Sequence, residues 1–230
     1  MTSAENEQNL TNLLDEVFNE SFQDAYQKGD DTMIAAQKRA IKTVTDIESL
    51  PPREAYFIFC YRYRLLTDKQ RQQLLDRMAT DVTWAYNLLS VFPLLTRRQR
   101  QPFVNTIATN AEQSLVTFHY HFKMFTKAQR QQLLNAIATN AGASYQNWRD
   151  NYNLLTEAQR KQMVCATATD IHWAYFCTRH RNLLPPKHMR ILIDAIAPHA
   201  SLASLVLQDQ AGLSPAQIRQ LEKAVIRNGI

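Results

Sequence analysis

Apolar residues recur along this chain at the spacing of one face of an α-helix. Two examples are the sets Leu74, Leu75, Met78, Ala79 and Leu133, Leu134, Ile137, Ala138. The pattern returns every 29 to 30 residues, in segments that open at Leu65, Leu94, Met124, Leu154, Leu183 and Gly212. A period of this length predicts stacked helix pairs, because one pair cannot bury its own apolar face. We therefore expect an all-α fold, a right- or left-turning α-solenoid.

Hydrogen-bonding residues mark where both helices of each repeat begin. A Thr followed three residues later by Gln predicts a capping box at the first helix; the pairs are Thr67 with Gln70, Thr96 with Gln99, Thr126 with Gln129, and Thr156 with Gln159. Short accepting side chains predict the cap of the second helix; they are Asp81, Asn110, Asn140 and Asp170. Small residues that follow predict close helix packing; they are Ala85, Ser114, Ser144, Ala174 and Ala203.

The repeats extend over most of the chain, which predicts one domain covering residues 1–230. Its parts are an acidic N-terminal capping helix at 1–31, a divergent first repeat at 32–64, five repeats at 65–211 and a C-terminal capping helix at 212–230. In the last helix, Leu221, Val225 and Ile226 are expected to face inward. This organisation resembles the HEAT and armadillo class of α-helical solenoids over nearly the whole chain. The resemblance is one of architecture, since the repeats of those families are longer, and it implies no activity.

Composition predicts a cytoplasmic protein without a membrane span. No apolar run approaches the roughly 18 residues that indicate a spanning helix, and the acidic residues 1–30 lack the apolar core of a signal peptide. Three scattered cysteines, Cys60, Cys165 and Cys177, argue against a disulfide framework. We expect these cysteines to be small buried hydrophobic residues.

The sequence offers little catalytic chemistry. Its four glycines cannot form a phosphate-binding glycine-rich loop. His119 and His121 are two residues apart, so they point to opposite sides of a helix and make a poor metal site. Cys177 and His180 could share a helical face, but no third group is evident to orient the histidine. We predict a non-catalytic protein with no cofactor, no metal and no small-molecule substrate.

Cations gather at one edge of the predicted stack. Of the 18 Lys and Arg residues from Arg62 to Arg190, 17 lie where the second helix of one repeat leads into the first helix of the next, Arg77 being the exception. The candidate polyanion-binding residues on this edge are Arg71, Arg97, Arg98, Arg100, Lys127, Arg130, Arg149, Arg160, Lys161, Arg179, Arg181, Lys187 and Arg190.

Two interpretations of these cations compete. At the ends of second helices they favour the helix dipole, which accounts for Arg149, Arg179 and Arg181. In the first turn of a first helix, as at Arg97 and Arg98, a cation is mildly unfavourable, so an anionic partner is the better explanation there. A recurring Arg at 71, 100, 130 and 160 is also expected to lay its stem along the apolar stripe. A solvated face explains any single Arg equally well.

The edge as a whole predicts sequence-independent binding of a polyanion, with the nucleic-acid backbone as the leading candidate. The alternative is a protein-interaction scaffold that binds an acidic helix or tail. Aromatic residues on second helices could add base stacking, although a core position is more common for such residues; they are Trp84, Trp148, Trp173, Tyr120 and Phe176.

Overall fold

The computed structural model describes residues 47–63, 66–91, 95–209 and 212–227. Within these ranges there are α-helices, short 3-10 turns and no β-strand. The twelve α-helices are α1 Pro52–Arg62, α2 Asp68–Met78, α3 Val82–Val91, α4 Arg97–Ile107, α5 Ala111–His121, α6 Lys127–Ile137, α7 Ala141–Asp150, α8 Glu157–Thr167, α9 Ile171–Thr178, α10 Pro186–Ile196, α11 Ala200–Gln208 and α12 Pro215–Arg227. None of these helices is long and apolar enough to cross a bilayer.

The all-α prediction is confirmed for the described residues. The predicted N-terminal capping helix at 1–31 and residues 32–46 of the divergent first repeat lie outside them. The solenoid, its repeat length and the single-domain organisation stay predictions.

The predicted capping boxes are present. At α4 the Gln99 amide donates to Thr96 Oγ1 at 3.3 Å, and the Thr96 amide donates to Gln99 Oε1 at 3.0 Å. The same exchange of hydrogen bonds opens α2, α6, α8 and α12; its pairs are Thr67 with Gln70, Thr126 with Gln129, Thr156 with Gln159 and Ser214 with Gln217. Two otherwise unpaired amides are thus satisfied at the start of each of these helices.

The second helices are also capped as the sequence predicts. Asp170 Oδ1 accepts from the amides of His172 and Trp173 at the start of α9. Asp81 likewise accepts from two amides at α3, and Asn110 and Asn140 each accept from one amide, at α5 and α7. The small residues that follow have no exposed surface, which confirms close packing around them; they are Ala85, Ser114, Ser144, Ala174 and Ala203.

Contacts divide the described residues into two compact units. The first compact unit holds the residues up to Gln113 together with His121–Gln132, and the second compact unit holds Ser114–Tyr120 and the residues from Leu133 onward. In the second, α7 packs on α8, α9 on α10 and α11 on α12. There α8, α10 and α12 also lie side by side, as do α7, α9 and α11. The first compact unit repeats this arrangement, with α1 on α2, α3 on α4, and contacts of α1 with α3 and α2 with α4.

Four expectations about burial are wrong. Ile226 is 75% exposed because it lies five residues beyond the buried Leu221, about 140° around the helix. Cys165 is exposed, unlike Cys60 and Cys177, since it occupies the outward position held in other repeats by Asp76, Asn105, Asn135 and Asp194. Two aromatic residues expected in the core, Tyr120 and Phe176, are exposed, whereas Trp148 is fully buried.

The first stability prediction concerns the apolar stripe. Leu134 on α6 has no exposed surface, so Leu134→Ala should lower the free energy of unfolding by roughly 2 to 5 kcal/mol through lost burial and a residual cavity. Ile226→Ala is the matched control, and because its side chain is exposed we expect a change within about 0.5 kcal/mol. Urea denaturation followed by circular dichroism measures both, and equal losses would contradict the proposed core.

Helices α7 and α9 approach each other closely at Gly142. A Cβ added to Gly142 would lie 3.0 Å from two carbons of the Trp173 ring, so Gly142→Ala should destabilise the protein by about 1 kcal/mol. In a Trp173→Leu background, which removes the ring, the same change should become stabilising, because Ala favours the helix over Gly by about 1 kcal/mol. Urea denaturation of the four proteins checks this, and a change of the same sign in both backgrounds would refute the contact.

Candidate anion interface

The recurring Arg near the start of each first helix has a structural partner. Arg71 and Arg160 place their guanidinium groups 4.3 and 4.0 Å from the ring centroids of Tyr63 and Tyr152. Each Nε also donates to the backbone carbonyl of that same tyrosine, at 3.1 and 3.0 Å. These contacts attach the first helix to the turn that precedes it.

Arg130 makes an equivalent arrangement in the first compact unit. Its guanidinium lies 3.9 Å from the ring centroid of Phe122, and its Nε donates to the Phe125 carbonyl at 3.0 Å. In all three cases the aromatic residue stands eight residues before the Arg, and Phe92 stands at the same distance before Arg100. Sequence reasoning missed these partners, although this spacing could have revealed them.

Carboxylates neutralise the recurring Arg in two repeats. Arg71 NH1 lies 3.0 Å from Asp68 Oδ1, and Arg160 NH1 lies 3.9 Å from Glu157 Oε2. Glu157 Oε1 also accepts a hydrogen bond from Lys187 Nζ at 2.7 Å. This hydrogen bond is the largest cause of the lowered pKa of the Glu157 carboxyl group. Arg71, Arg160 and Lys187 are therefore partly neutralised by the chain itself.

A buried histidine completes the Glu157 cluster. His188 has no exposed surface, and its Nε2 lies 3.2 Å from Glu157 Oε1. Burial is the largest influence on this imidazole and lowers its pKa, against the opposing effect of Glu157. His188 stands where the capping Gln occurs in other repeats, and sequence reasoning did not identify it.

The remaining candidates in the second compact unit divide into paired and unpaired cations. Arg149 Nε contacts Asp150 Oδ1 at 2.6 Å, and Arg190 Nε contacts Asp194 Oδ2 at 3.8 Å. Lys161 and Arg179 are exposed and have no ion pair with the described residues. The side chain of Arg181 lies outside the described part of the structure.

The first compact unit brings four of the other candidates, Arg97, Arg100, Lys127 and Arg130, together around a cavity of about 560 Å³. The cavity lies between the start of α4, the 3-10 turn Phe122–Met124 and the start of α6. Its cationic lining is Arg97, Arg100, Lys123, Lys127 and Arg130, a group that we call the central cation cluster. No Asp or Glu is among the described residues that line it.

The members of this cluster lack ion pairs within the described ranges. Arg100 NH1 donates to the Met124 carbonyl, while its Nε is buried without a hydrogen-bond partner among the described atoms. Burial, and then the nearby charge of Arg97, lower the pKa of Arg100. Lys123 belongs to the cluster although it was not among the candidate site residues.

Arg98 was predicted to belong to the site but lies outside this cavity. It lines a neighbouring cavity of about 690 Å³, which also contains the carboxylate of Asp76. Arg98 is exposed and has no ion pair within the described part of the chain. It thus resembles the cluster residues in exposure and position on α4 but faces different surroundings.

The three histidine candidates are hydrogen-bonded, and the cysteine candidate is buried. His119 Nδ1 hydrogen-bonds with Asn151 Oδ1 at 2.9 Å, and His121 Nε2 with Ser90 Oγ at 3.2 Å. Burial raises the pKa of Cys177 to about 12, which disfavours a nucleophilic thiolate. His180 Nε2 is hydrogen-bonded to the Tyr145 hydroxyl at 2.8 Å.

No grouping of three His, Cys, Asp or Glu side chains suited to hold a metal occurs among the described residues. Comparison with known proteins found no matching family model, no similar curated protein and no similar solved structure.

Proposed function

We propose that the central cation cluster binds phosphate groups of a nucleic-acid backbone, and that the protein is a non-catalytic binding module. The observation that carries this proposal is a cavity of about 560 Å³ lined by five cations and, among the described residues, by no carboxylate. Like charges held close together repel one another, and an anion between them removes that repulsion. Burial is the larger cause of the lowered pKa of Arg100, and the nearby charge of Arg97 adds to it.

The backbone around the cavity adds to its positive potential. Arg97 and Lys127 are the first residues of α4 and α6, so two helix N-termini lie at the cavity together with the cationic side chains. Free amides, the helix dipole and guanidinium groups all favour a phosphate at such a place. Cations in the first turn oppose the dipole when no anion is bound, which is a reason to connect them with a ligand.

A nucleic-acid backbone suits this chemistry better than an acidic protein segment. Phosphates accept paired hydrogen bonds from Arg, and a nucleic acid supplies one phosphate per nucleotide along its strand. Contacts with the phosphate position the strand without reading its bases, so binding is sequence-independent. The acidic protein segment is the alternative outcome of the test below.

We further propose that the helix pairs form an α-solenoid of the HEAT or armadillo kind with a 29 to 30-residue repeat. Support comes from the caps, which recur at matching positions. Within each compact unit, first helices lie beside first helices and second helices beside second helices, as such a repeat requires.

The nucleic-acid proposal predicts a loss of electrostatic affinity when the cluster is neutralised. Replacing Arg97, Lys123 and Lys127 by Ala should weaken binding to all oligonucleotides alike. The slope of log K against log salt should fall by up to about 0.7 per lost contact for a single strand and about 0.9 for a duplex. Fluorescence anisotropy at several salt concentrations measures both quantities.

The matched control removes three exposed cations of α12, Arg219, Lys223 and Arg227, and so changes the net charge equally. It should leave the salt slope close to that of the parent protein. Equal losses of affinity in the two triple variants would show that the effect comes from net charge and not from the cavity. A parent that binds poly-glutamate but no oligonucleotide at low salt would favour the scaffold that recognises an acidic segment.

A further inference from the structure

The repeats differ at one position that controls the charge around the recurring Arg. This position lies three residues before that Arg, at the start of the first helix, and holds Asp68, Arg97, Lys127 and Glu157 in successive repeats. In the first and the last of these four repeats the residue is a carboxylate, and it pairs with Arg71 or Arg160. In the central two it is a cation, so the recurring Arg there lacks this internal partner.

Arg130 and Arg160 show that the rest of the arrangement is preserved. Each stacks on an aromatic ring eight residues earlier, at 3.9 and 4.0 Å. Each Nε donates to a backbone carbonyl of the preceding turn, at 3.0 Å in both cases. The guanidinium is therefore held in nearly the same way in both repeats, and the difference is the counter-ion, Glu157 in one and none among the described residues in the other.

We infer that a phosphate group of the ligand takes the place of the missing carboxylate at the start of α6, between Lys127 and Arg130. This inference rests on the proposed function and deepens it by naming the phosphate subsite. Lys123 and Arg100 line the same cavity and supply further positive charge to the phosphate. In the second compact unit Glu157 already occupies the equivalent place, so a phosphate is excluded there.

Solvation alone does not explain why two successive repeats have a cation where Asp68 and Glu157 stand in the repeats on either side. A carboxylate in the first turn favours the helix dipole, and a cation opposes it by a few tenths of a kcal/mol. Lys127 also places a second positive charge near Arg130, and Arg97 does so near Arg100. Both central repeats therefore combine an unfavourable first-turn cation with repulsion between two cations. Arg100 itself lines the same cavity. A bound phosphate offsets the repulsion in both pairs.

The test restores the missing carboxylate. Lys127→Glu rebuilds the pair that Glu157 and Arg160 form, and it should occupy the phosphate subsite with a side chain of the protein. Arg98→Glu is the matched control, since it makes the same charge change at an exposed first-turn residue outside the cavity. Both variants should fold, because a first-turn carboxylate favours the helix, and circular dichroism and Tm verify this.

Inorganic tripolyphosphate is the first probe. At concentrations well above its Kd it should raise the Tm of the parent and of Arg98→Glu by about 5 °C, and it should leave the Tm of Lys127→Glu nearly unchanged. Equal shifts in all three proteins, or no shift in the parent, would overturn the subsite.

A fluorescein-labelled oligothymidine is the second probe. Lys127→Glu should weaken its binding at 0.1 M salt by about ten- to thirtyfold, as expected for two lost phosphate contacts, and Arg98→Glu by no more than about twofold. Equal weakening in the two variants would also overturn the subsite. A parent that responds to tripolyphosphate but binds no oligonucleotide would retain the phosphate subsite and refute the nucleic-acid function, so the two failures are distinguishable.

Discussion

Helices of 8 to 13 residues are too short to be stable alone in water, and every α-helix in the described ranges has such a length. Their stability must come from burying an apolar stripe against neighbouring helices and from satisfying the free amides at each start. Leu74, Leu133 and Ile193, all without exposed surface, show the first contribution. The reciprocal hydrogen bonds of Thr96 and Gln99 show the second. The other features of the structure depend on these two requirements.

One consequence is that a short turn before a first helix serves several purposes. It ends one helix pair, supplies the cap of the next helix, and holds the aromatic ring beneath a recurring Arg, as Tyr152 does beneath Arg160. The Arg there contributes to packing wherever its ring contact is described. A packing role is compatible with the proposed binding role, and the residue three positions earlier determines whether a carboxylate of the chain pairs with the Arg.

Local features of the fold were predictable from the sequence because they involve residues close together in the chain. A capping box joins residues three apart, and the apolar stripe follows from the helical period, so both appear as spacing. Burial was predicted wrongly at Cys165 and at Ile226. Cys165 could have been recognised as exposed from the polar residues at matching positions, whereas hydrophobicity alone placed Ile226 in the core incorrectly.

By itself, the sequence determined the all-α class, the caps and the concentration of cations before first helices, since each depends on local spacing and composition. Tertiary structure decided which cations of different repeats line one cavity, and it gave Lys187 a counter-ion from another repeat. Lys187 comes within 2.7 Å of Glu157, 30 residues away in the chain, while Arg97 and Lys127 meet across a cavity without a described carboxylate. Charge pairing depends on distance in space, and residues a whole repeat apart become neighbours only when the helices pack.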